Sequence, residues 1–113
     1  MQFSDFQKES RATAKYPDID NNFVYPTLGL VGEAGEVADK IKKLQRDQGI
    51  FTPNEVSAET KADIAKELGD VLWYVAQLAT EFQVDLDDVA QGNIDKLTSR
   101  LKRGTIGGSG DDR

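Results

Sequence analysis

Apolar residues recur three and four positions apart along most of the chain, a pattern typical of amphipathic helices. Near the N-terminus Phe3, Phe6 and Ser10 keep this spacing, which predicts a first helix over residues 2–15. Residues 16–22 then bring proline, aspartate and asparagine together, and these residue types favour a turn. No segment alternates apolar and polar residues for long enough to predict a strand. The fold class is therefore predicted to be all-α.

Two longer helices are predicted in the middle of the chain. The second runs from Pro26, which suits a first helical position, to about residue 46. A capping-box pattern, Thr52-Pro53-Asn54-Glu55, predicts a short helical turn before the third helix, which spans about residues 59–82. The third helix carries a wide apolar face made of Ile64, Leu68, Val71, Leu72, Val75, Leu78 and Ala79.

A fourth helix is predicted after Asp85, whose carboxylate suits the N-cap position, and Gly104 suits the residue just past its end. The predicted buried stripe of this helix consists of Leu86, Val89, Ile94, Leu97 and Leu101. The sequence therefore predicts a bundle of about four helices. Residues 1–103 are predicted to form the domain, and the glycine-rich residues 104–113 a flexible C-terminal tail.

The size of the chain bears on its assembly, since 113 residues make only one small domain. A lone protomer with so wide an apolar face on its third helix exposes more hydrophobic surface than monomers usually do. We therefore expect at least a symmetric dimer.

The residue types that are missing exclude several kinds of chemistry. The chain contains no cysteine, which excludes disulfides and thiolate sites, and no histidine, which excludes imidazole ligands and Ser-His-Asp triads. Acid–base or metal chemistry therefore has to use Asp, Glu, Lys, Tyr or water. No apolar run approaches the length of a membrane span, and the N-terminus lacks the features of a signal peptide. No membrane partner is expected, and the cytoplasm is the expected location.

Charge is distributed unevenly along the chain. The net charge is −6, and an acidic chain is a poor partner for nucleic acid, whose phosphates are bound by Lys and Arg. Residues 96–113 hold five basic and two acidic residues and carry +3, which leaves −9 for residues 1–95. The basic end either suits the C-terminal end of the fourth helix dipole or binds an anion next to an acidic metal site. The sequence leaves both interpretations open.

Two short acidic motifs lie within apolar stretches of the second and third helices. They are Glu33-Ala34-Gly35-Glu36 and Glu67-Leu68-Gly69-Asp70, and each places two carboxylates one turn apart on the same helix surface. If the two helices face each other, the four carboxylates converge, and their repulsion raises some of their pKa values unless a cation binds. Oxygen ligands alone favour Mg²⁺, Mn²⁺ or Ca²⁺. The alternative is that both motifs lie on solvated helix faces.

Glycines accompany both motifs. Gly29 and Gly32 are interpreted as positions where two helices pack closely, since a glycine inside a helix otherwise destabilises it by up to about 1 kcal/mol. Gly35 and Gly69 each lie beside a carboxylate and are expected to leave room for a ligand.

The two acidic motifs resemble the signature of the MazG-like, all-α nucleoside triphosphate pyrophosphohydrolases. Gly29 to Val37 and Ala65 to Tyr74 resemble the metal-binding helices of that family. Asn93-Ile94-Asp95-Lys96-Leu97, together with Arg100, resembles the helix that follows them. The resemblance covers about residues 3–103.

This resemblance implies a homodimer or a dimer-based homotetramer that binds a nucleoside triphosphate through Mg²⁺, with Mn²⁺ as a substitute. The metal ligands that it implies are Glu33, Glu36, Glu67 and Asp70. Water attacks the α-phosphorus and pyrophosphate leaves, while Glu36 or Glu33 takes a proton from the water. A metal ion neutralises the developing charge and makes water a better nucleophile, so the physical chemistry agrees with this mechanism.

Several further side chains are expected to bind the substrate. Lys96, Arg100 and Arg103 are candidates for the phosphates, because guanidinium groups bind phosphate bidentately, although surface charge at a helix end is the plainer interpretation. Asn93 is a candidate for a base edge or a phosphate. Tyr74 is a candidate for stacking on the base, although an aromatic residue at helical spacing is also typical of a core or a dimer interface.

Three alternatives to a general nucleoside triphosphate pyrophosphohydrolase are kept. Two are enzymes of the same helical type, one specialised for dUTP or dCTP and one similar to phosphoribosyl-ATP pyrophosphatase. The third is not an enzyme but an acidic helical bundle that binds a protein partner or divalent cations. Release of pyrophosphate separates the enzymes from the binding protein.

Overall fold

The computed structural model describes residues 1–113 and contains four α-helices and no strand. Helix α1 spans Phe3–Arg11 and helix α2 spans Val24–Gln48. A single 3-10 turn follows at Pro53–Glu55, and then come α3 at Ala58–Glu81 and α4 at Leu86–Arg103. The predicted all-α class and the predicted number of helices are confirmed. None of the helices combines the length and the apolar character that crossing a membrane requires.

Side chains outside the apolar pattern decide where the long helices begin. The Asn22 Oδ1 atom accepts hydrogen bonds from the backbone N–H groups of Val24 and Tyr25, at 3.1 and 3.0 Å. Helix α2 therefore begins at Val24, two residues before the predicted Pro26. Pro26 still lies in the first turn, where N–H groups have no partner within the helix, so its missing N–H costs no helical hydrogen bond. Ser57 caps α3, since its Oγ atom accepts the Thr60 N–H at 3.1 Å.

One predicted helix end and one predicted capping interaction are wrong, whereas the short turn itself forms at Pro53–Glu55 as predicted. Helix α1 ends at Arg11 rather than residue 15, because the next three N–H groups bond to carbonyls only three residues back, which tightens the chain into a turn. The capping box at Thr52 does not form, because its hydroxyl donates to the Glu55 carboxylate at 3.0 Å and caps no backbone N–H. The predicted Asp85 cap and the left-handed Gly104, with φ of 72°, are confirmed.

The helices pack unevenly. Helix α2 lies along α3, and α1 packs against both α3 and α4. The radius of gyration is 17.0 Å, whereas a compact chain of this length has about 13 Å. Only 9 of 113 residues are buried, so much of the apolar surface is left uncovered in one protomer.

The predicted buried stripe of α4 is wrong for a single protomer. Only Leu86 of that stripe is buried, because α1 covers the N-terminal end of α4 and no other helix runs along the rest. The remaining members are exposed: Val89, Ile94, Leu97 and Leu101.

One polar network joins the end of α1, the loop that follows it and the C-terminal end of α3. The Arg11 guanidinium lies 2.9 Å from a carboxylate oxygen of Glu81 and 2.6 Å from one of Asp20. It also donates to the Tyr16 hydroxyl at 2.6 Å. Glu81, whose side chain is only 2% exposed, accepts the Asn22 N–H at 2.6 Å. The network therefore holds the loop against α3 and fixes the point at which α2 begins.

Candidate metal centre

Three carboxylates from two helices converge where α2 lies along α3. Glu33 comes from α2, whereas Glu67 and Asp70 come from α3, and one oxygen from each lies within 4.8 Å of the others. Glu67 and Asp70 are one turn apart, so a single face of α3 supplies both. Glu36 is exposed and lies outside this cluster, so the structure brings together three of the four predicted ligands.

The cluster is electrostatically strained without a cation. Burial raises the pKa of Glu33, and the negative charges of Asp70, Glu67 and Glu36 raise it further. Lys40 is the nearby counter-charge, with its Nζ atom 3.5 Å from a Glu67 oxygen. Its role was missed from sequence, although it lies two turns beyond Glu33. One ammonium group leaves most of the negative charge of the three carboxylates unbalanced. Three oxygen ligands without nitrogen or sulfur suit a hard cation such as Mg²⁺, whose remaining ligands would be waters and phosphate oxygens.

A cavity of about 340 Å³ opens beside the acidic cluster. Its walls are Glu33, Asp70, Trp73, Tyr74 and Thr13. The Trp73 indole N–H donates to the Thr13 hydroxyl at 2.8 Å, which ties this wall to α1. Trp73 lies one turn past Asp70, so spacing alone could have placed it here, whereas nothing in the sequence around Thr13 signals its position.

A second cavity, of about 510 Å³, lies at the other end of the α2–α3 pair. Its lining is mostly apolar and includes Leu44, Phe51 and Ile64. It contains no carboxylate, so the cavity beside Glu33 and Asp70 is the one that matches the predicted chemistry although it is smaller.

Tyr74 lies flat against α2 at a glycine. A Cβ atom added to Gly29 would overlap three ring atoms of Tyr74, so only glycine permits this packing. Burial raises the pKa of the Tyr74 hydroxyl, and the neighbouring Tyr25 raises it further. The packing interpretation of Gly29 is confirmed. That of Gly32 is wrong for the protomer, because a Cβ atom added there would have no other atom within 4 Å.

The expected role of the glycines next to the carboxylates, to leave room for a ligand, stays a prediction. Gly35 and Gly69 have no atom within 4 Å of the position that a Cβ would take. The protomer therefore leaves open space at both glycines.

Gly29→Ala is expected to lower the free energy of unfolding by about 1–3 kcal/mol, because the added methyl group forces the Tyr74 ring from its place. Gly32→Ala is the matched control on the same helix, and it should retain or raise stability, since alanine favours helix by up to about 1 kcal/mol. Urea unfolding followed by circular dichroism measures both. Equal stability of the two variants would contradict this packing.

The basic residues of α4 lie apart from the acidic cluster of the same protomer. No residue of α4 lines the cavity beside Glu33 and Asp70. Lys96 lies 3.4 Å from a carboxylate oxygen of Asp111, and the buried Arg100 donates to the carbonyl of Asp111. Arg103 donates to the Arg113 carbonyl at 2.9 Å. Of the predicted substrate-binding residues, only Tyr74 adjoins the acids within one protomer, and Asn93 is exposed on α4.

Comparison with known proteins identifies the family of the chain. Residues 26–105 match the family model of the MazG nucleotide pyrophosphohydrolase domain, a range that contains both acidic motifs and all of α4. The chain is 49% identical over 114 positions to the Gene 37 protein of Mycobacterium phage L5, covering 96% of each chain. It is 33% identical over 110 positions to the uncharacterized protein YvdC of Bacillus subtilis (strain 168), covering 90% of this chain and 98% of the relative. No solved structure matches the chain significantly. The chain belongs to the MazG nucleotide pyrophosphohydrolase family.

Proposed function

We propose that this chain hydrolyses nucleoside triphosphates to the monophosphate and pyrophosphate, with Mg²⁺ held by Glu33, Glu67 and Asp70. The observation that carries the proposal is the convergence of these three carboxylates within 4.8 Å, beside a cavity with aromatic walls. Membership of the family supports the reaction class. Mn²⁺ is the proposed substitute, because it accepts the same oxygen ligands.

The proposed division of labour among the acids follows from their positions. A metal ion in this site would neutralise charge on the phosphates and lower the pKa of a bound water. Glu36 is exposed and outside the cluster, yet close enough for its charge to raise the pKa of Glu33. We assign to Glu36 the removal of a proton from the attacking water, and Glu33, which belongs to the cluster itself, is the second candidate.

The proposed assembly is a homodimer, or a homotetramer built from dimers. Its support is the exposed apolar surface of the protomer, which includes Leu28, Val31 and Leu68 near the acids and Ile94 and Leu101 on α4. A triphosphate carries more negative charge than one divalent ion offsets, and the protomer supplies only Lys40 beside the cluster. We propose that α4 of the partner brings Lys96, Arg100 and Arg103 to the phosphates. No nucleic-acid or membrane partner is proposed.

The test of the function is a panel of common nucleoside and deoxynucleoside triphosphates, together with dUTP and phosphoribosyl-ATP, incubated with Mg²⁺ and read by product identity. Monophosphate and pyrophosphate are expected, because attack at the α-phosphorus releases both. Diphosphate nucleotide with orthophosphate would place the attack elsewhere and overturn the mechanism. Turnover of dUTP or dCTP alone would identify the enzyme specialised for those nucleotides. Turnover of phosphoribosyl-ATP alone would identify the enzyme similar to phosphoribosyl-ATP pyrophosphatase. No turnover at all would favour the cation- or partner-binding bundle.

Lys96→Ala and Arg100→Ala are each expected to weaken turnover about tenfold or more, the scale of one lost charge-assisted contact. Neither residue is a metal ligand, so Mg²⁺ binding without nucleotide should survive. Lys102→Ala is the matched control, because Lys102 is an exposed cation on the same helix that makes no ion pair. Full activity in the double variant would count against phosphate binding by α4.

Mixing two inactive variants tests whether the site spans two protomers. An equal mixture of Glu33→Gln with Lys96→Ala/Arg100→Ala, exchanged through mild denaturant, is expected to regain roughly a quarter of wild-type turnover. The reason is that half of the dimers are mixed, and each mixed dimer holds one intact site. No recovery, with exchange confirmed by mass, would place the acids and the cations of each site in the same chain.

A further inference from the structure

The C-terminal residues fold back onto the cations of α4. The Asp111 carboxylate lies 3.4 Å from the Lys96 ammonium and 3.6 Å from the Arg100 guanidinium. Arg100 also donates to the carbonyls of Gly110, at 3.4 Å, and of Asp111. The pKa of Asp111 is lowered by its hydrogen bond to Lys96 and by the positive charge of both cations. The two residues proposed to bind phosphate are thus both occupied by acceptors from the chain's own tail.

The tail is a shaped loop. Gly108 and Gly110 have φ values of 96° and 89°, which side chains other than glycine rarely permit. The Arg113 guanidinium donates to the carbonyls of Thr105, at 3.2 Å, and Gly107, at 3.0 Å, and so closes the loop on itself. The residues that shape the loop therefore also hold Asp111 over α4.

We propose that residues 105–113 form an anionic strap that competes with a polyphosphate for Lys96 and Arg100. This inference rests on the proposed phosphate-binding function of those two residues. With the strap closed the cations are occupied, and a polyphosphate binds only when the tail moves away. The strap thereby sets the apparent affinity for substrate.

The bonds at Arg100 support this exchange. A single guanidinium nitrogen of Arg100 donates to two carbonyl oxygens of the strap and also pairs with its one carboxylate, that of Asp111. The Nε atom of Arg100 is buried and has no hydrogen-bond partner. A phosphate group accepts two parallel hydrogen bonds from a guanidinium and carries more charge than a carboxylate. A phosphate that took the place of the strap and paired with both nitrogens on this side would satisfy the donor that the strap leaves unpaired.

Two substitutions in the full chain open the strap in different ways. Gly110→Ala strains the loop through its positive φ, and no atom lies within 4 Å of the new Cβ. Asp111→Asn removes the carboxylate alone. The matched controls are Gly107→Ala, a tail glycine without a positive φ, and Asp112→Asn, a neighbouring exposed acid that makes no ion pair.

The measurements are the Kd of inorganic tripolyphosphate without metal and the KM and kcat for a nucleoside triphosphate with Mg²⁺. If the strap is closed about nine-tenths of the time, it weakens the apparent affinity about tenfold. Because Gly110→Ala opens the strap, it should lower both the Kd of tripolyphosphate and the KM by about that factor. Asp111→Asn should change both about threefold, because exposed ion pairs are weak. We expect kcat and both controls to stay at wild-type values. Adding Lys96→Ala and Arg100→Ala should abolish the gain in tripolyphosphate affinity.

The strap and the proposed function fail in different ways. Unchanged or weaker tripolyphosphate binding in both Gly110→Ala and Asp111→Asn overturns the strap, whatever the turnover. Tighter tripolyphosphate binding without turnover of any nucleotide supports the strap and overturns the proposed hydrolysis. A gain that survives loss of Lys96 and Arg100 also overturns the strap, since the anion would then bind elsewhere.

Discussion

Replacing Glu33, Glu67 or Asp70 by its amide is expected to reduce pyrophosphate release by about a hundredfold or more. Each supplies an oxygen to one cluster in which all three lie within 4.8 Å of one another. Loss of a residue that merely orients a metal ligand typically lowers metal affinity or activity about 10–100-fold, so loss of a ligand itself should lower activity at least as much. A coupled assay for pyrophosphate measures the effect, with Glu59→Gln, an exposed glutamate in the first turn of α3, as the control. Near-normal turnover in two of the three variants would rule out a shared site.

Thermal unfolding separates a metal ligand from a base. Mg²⁺ should raise the Tm of the wild type, since a ligand that binds only the folded state stabilises it, and should leave the Tm of Glu33→Gln unchanged. Glu36→Gln should lose turnover yet keep the Mg²⁺-dependent rise in Tm, because Glu36 lies outside the cluster. Loss of that rise in Glu36→Gln would make Glu36 a ligand as well.

The pKa of Glu33 predicts the behaviour of the metal-free protein. Folding raises this pKa above its ordinary value of 4.5, so the folded state holds the proton more tightly than the unfolded chain. The contribution of Glu33 to the free energy of unfolding is therefore fully present below pH 4.5, and it is lost as the pH rises through the pKa of the folded state. At neutral pH the charged Glu33 is therefore destabilising, and Glu33→Gln should raise the Tm of the metal-free protein.

Arg11→Ala is expected to lower the free energy of unfolding by about 3 kcal/mol. It removes the guanidinium that lies 2.9 Å from Glu81, whose side chain is only 2% exposed, and so leaves a buried carboxylate without its counter-ion. Arg46→Ala is the control, because Arg46 and Asp47 are both exposed and such pairs contribute about 1 kcal/mol or less. Urea unfolding compares the two variants, and a loss as small as that of Arg46→Ala would contradict a structural role for the network.

The same network predicts an acid-sensitive stability. Burial opposes ionisation of Glu81, but the hydrogen bonds from the Asn22 N–H and from Arg11 outweigh it and lower the pKa below its ordinary value of 4.5. Stability from this group is thus present above pH 4.5 and is lost as the pH falls through the folded pKa. Glu81→Gln should flatten the loss of stability between neutral and acid pH, and an unchanged pH profile would contradict the assignment.

The sequence by itself determined the local structure and the kind of chemistry. Helices form through contacts three and four residues apart, so spacing and end residues such as Asp85 and Gly104 were enough to predict four helices and several of their ends. The two acidic motifs predicted a metal site for the same reason, since each pair lies within one helical turn. The absence of histidine and cysteine restricted the ligands to oxygen.

Only the tertiary structure decided which of these residues meet. How α2 is rotated against α3 brings Glu33 to the α3 carboxylates and leaves Glu36 outside, and no pattern within one helix encodes that rotation. The approach of Arg11 to Glu81 joins residues 70 positions apart and depends on the path of a loop. The stripe of α4 was predicted to be buried because it has helical period, but period shows only that a helix has an apolar face. What covers that face is decided by packing, and one protomer leaves most of it exposed.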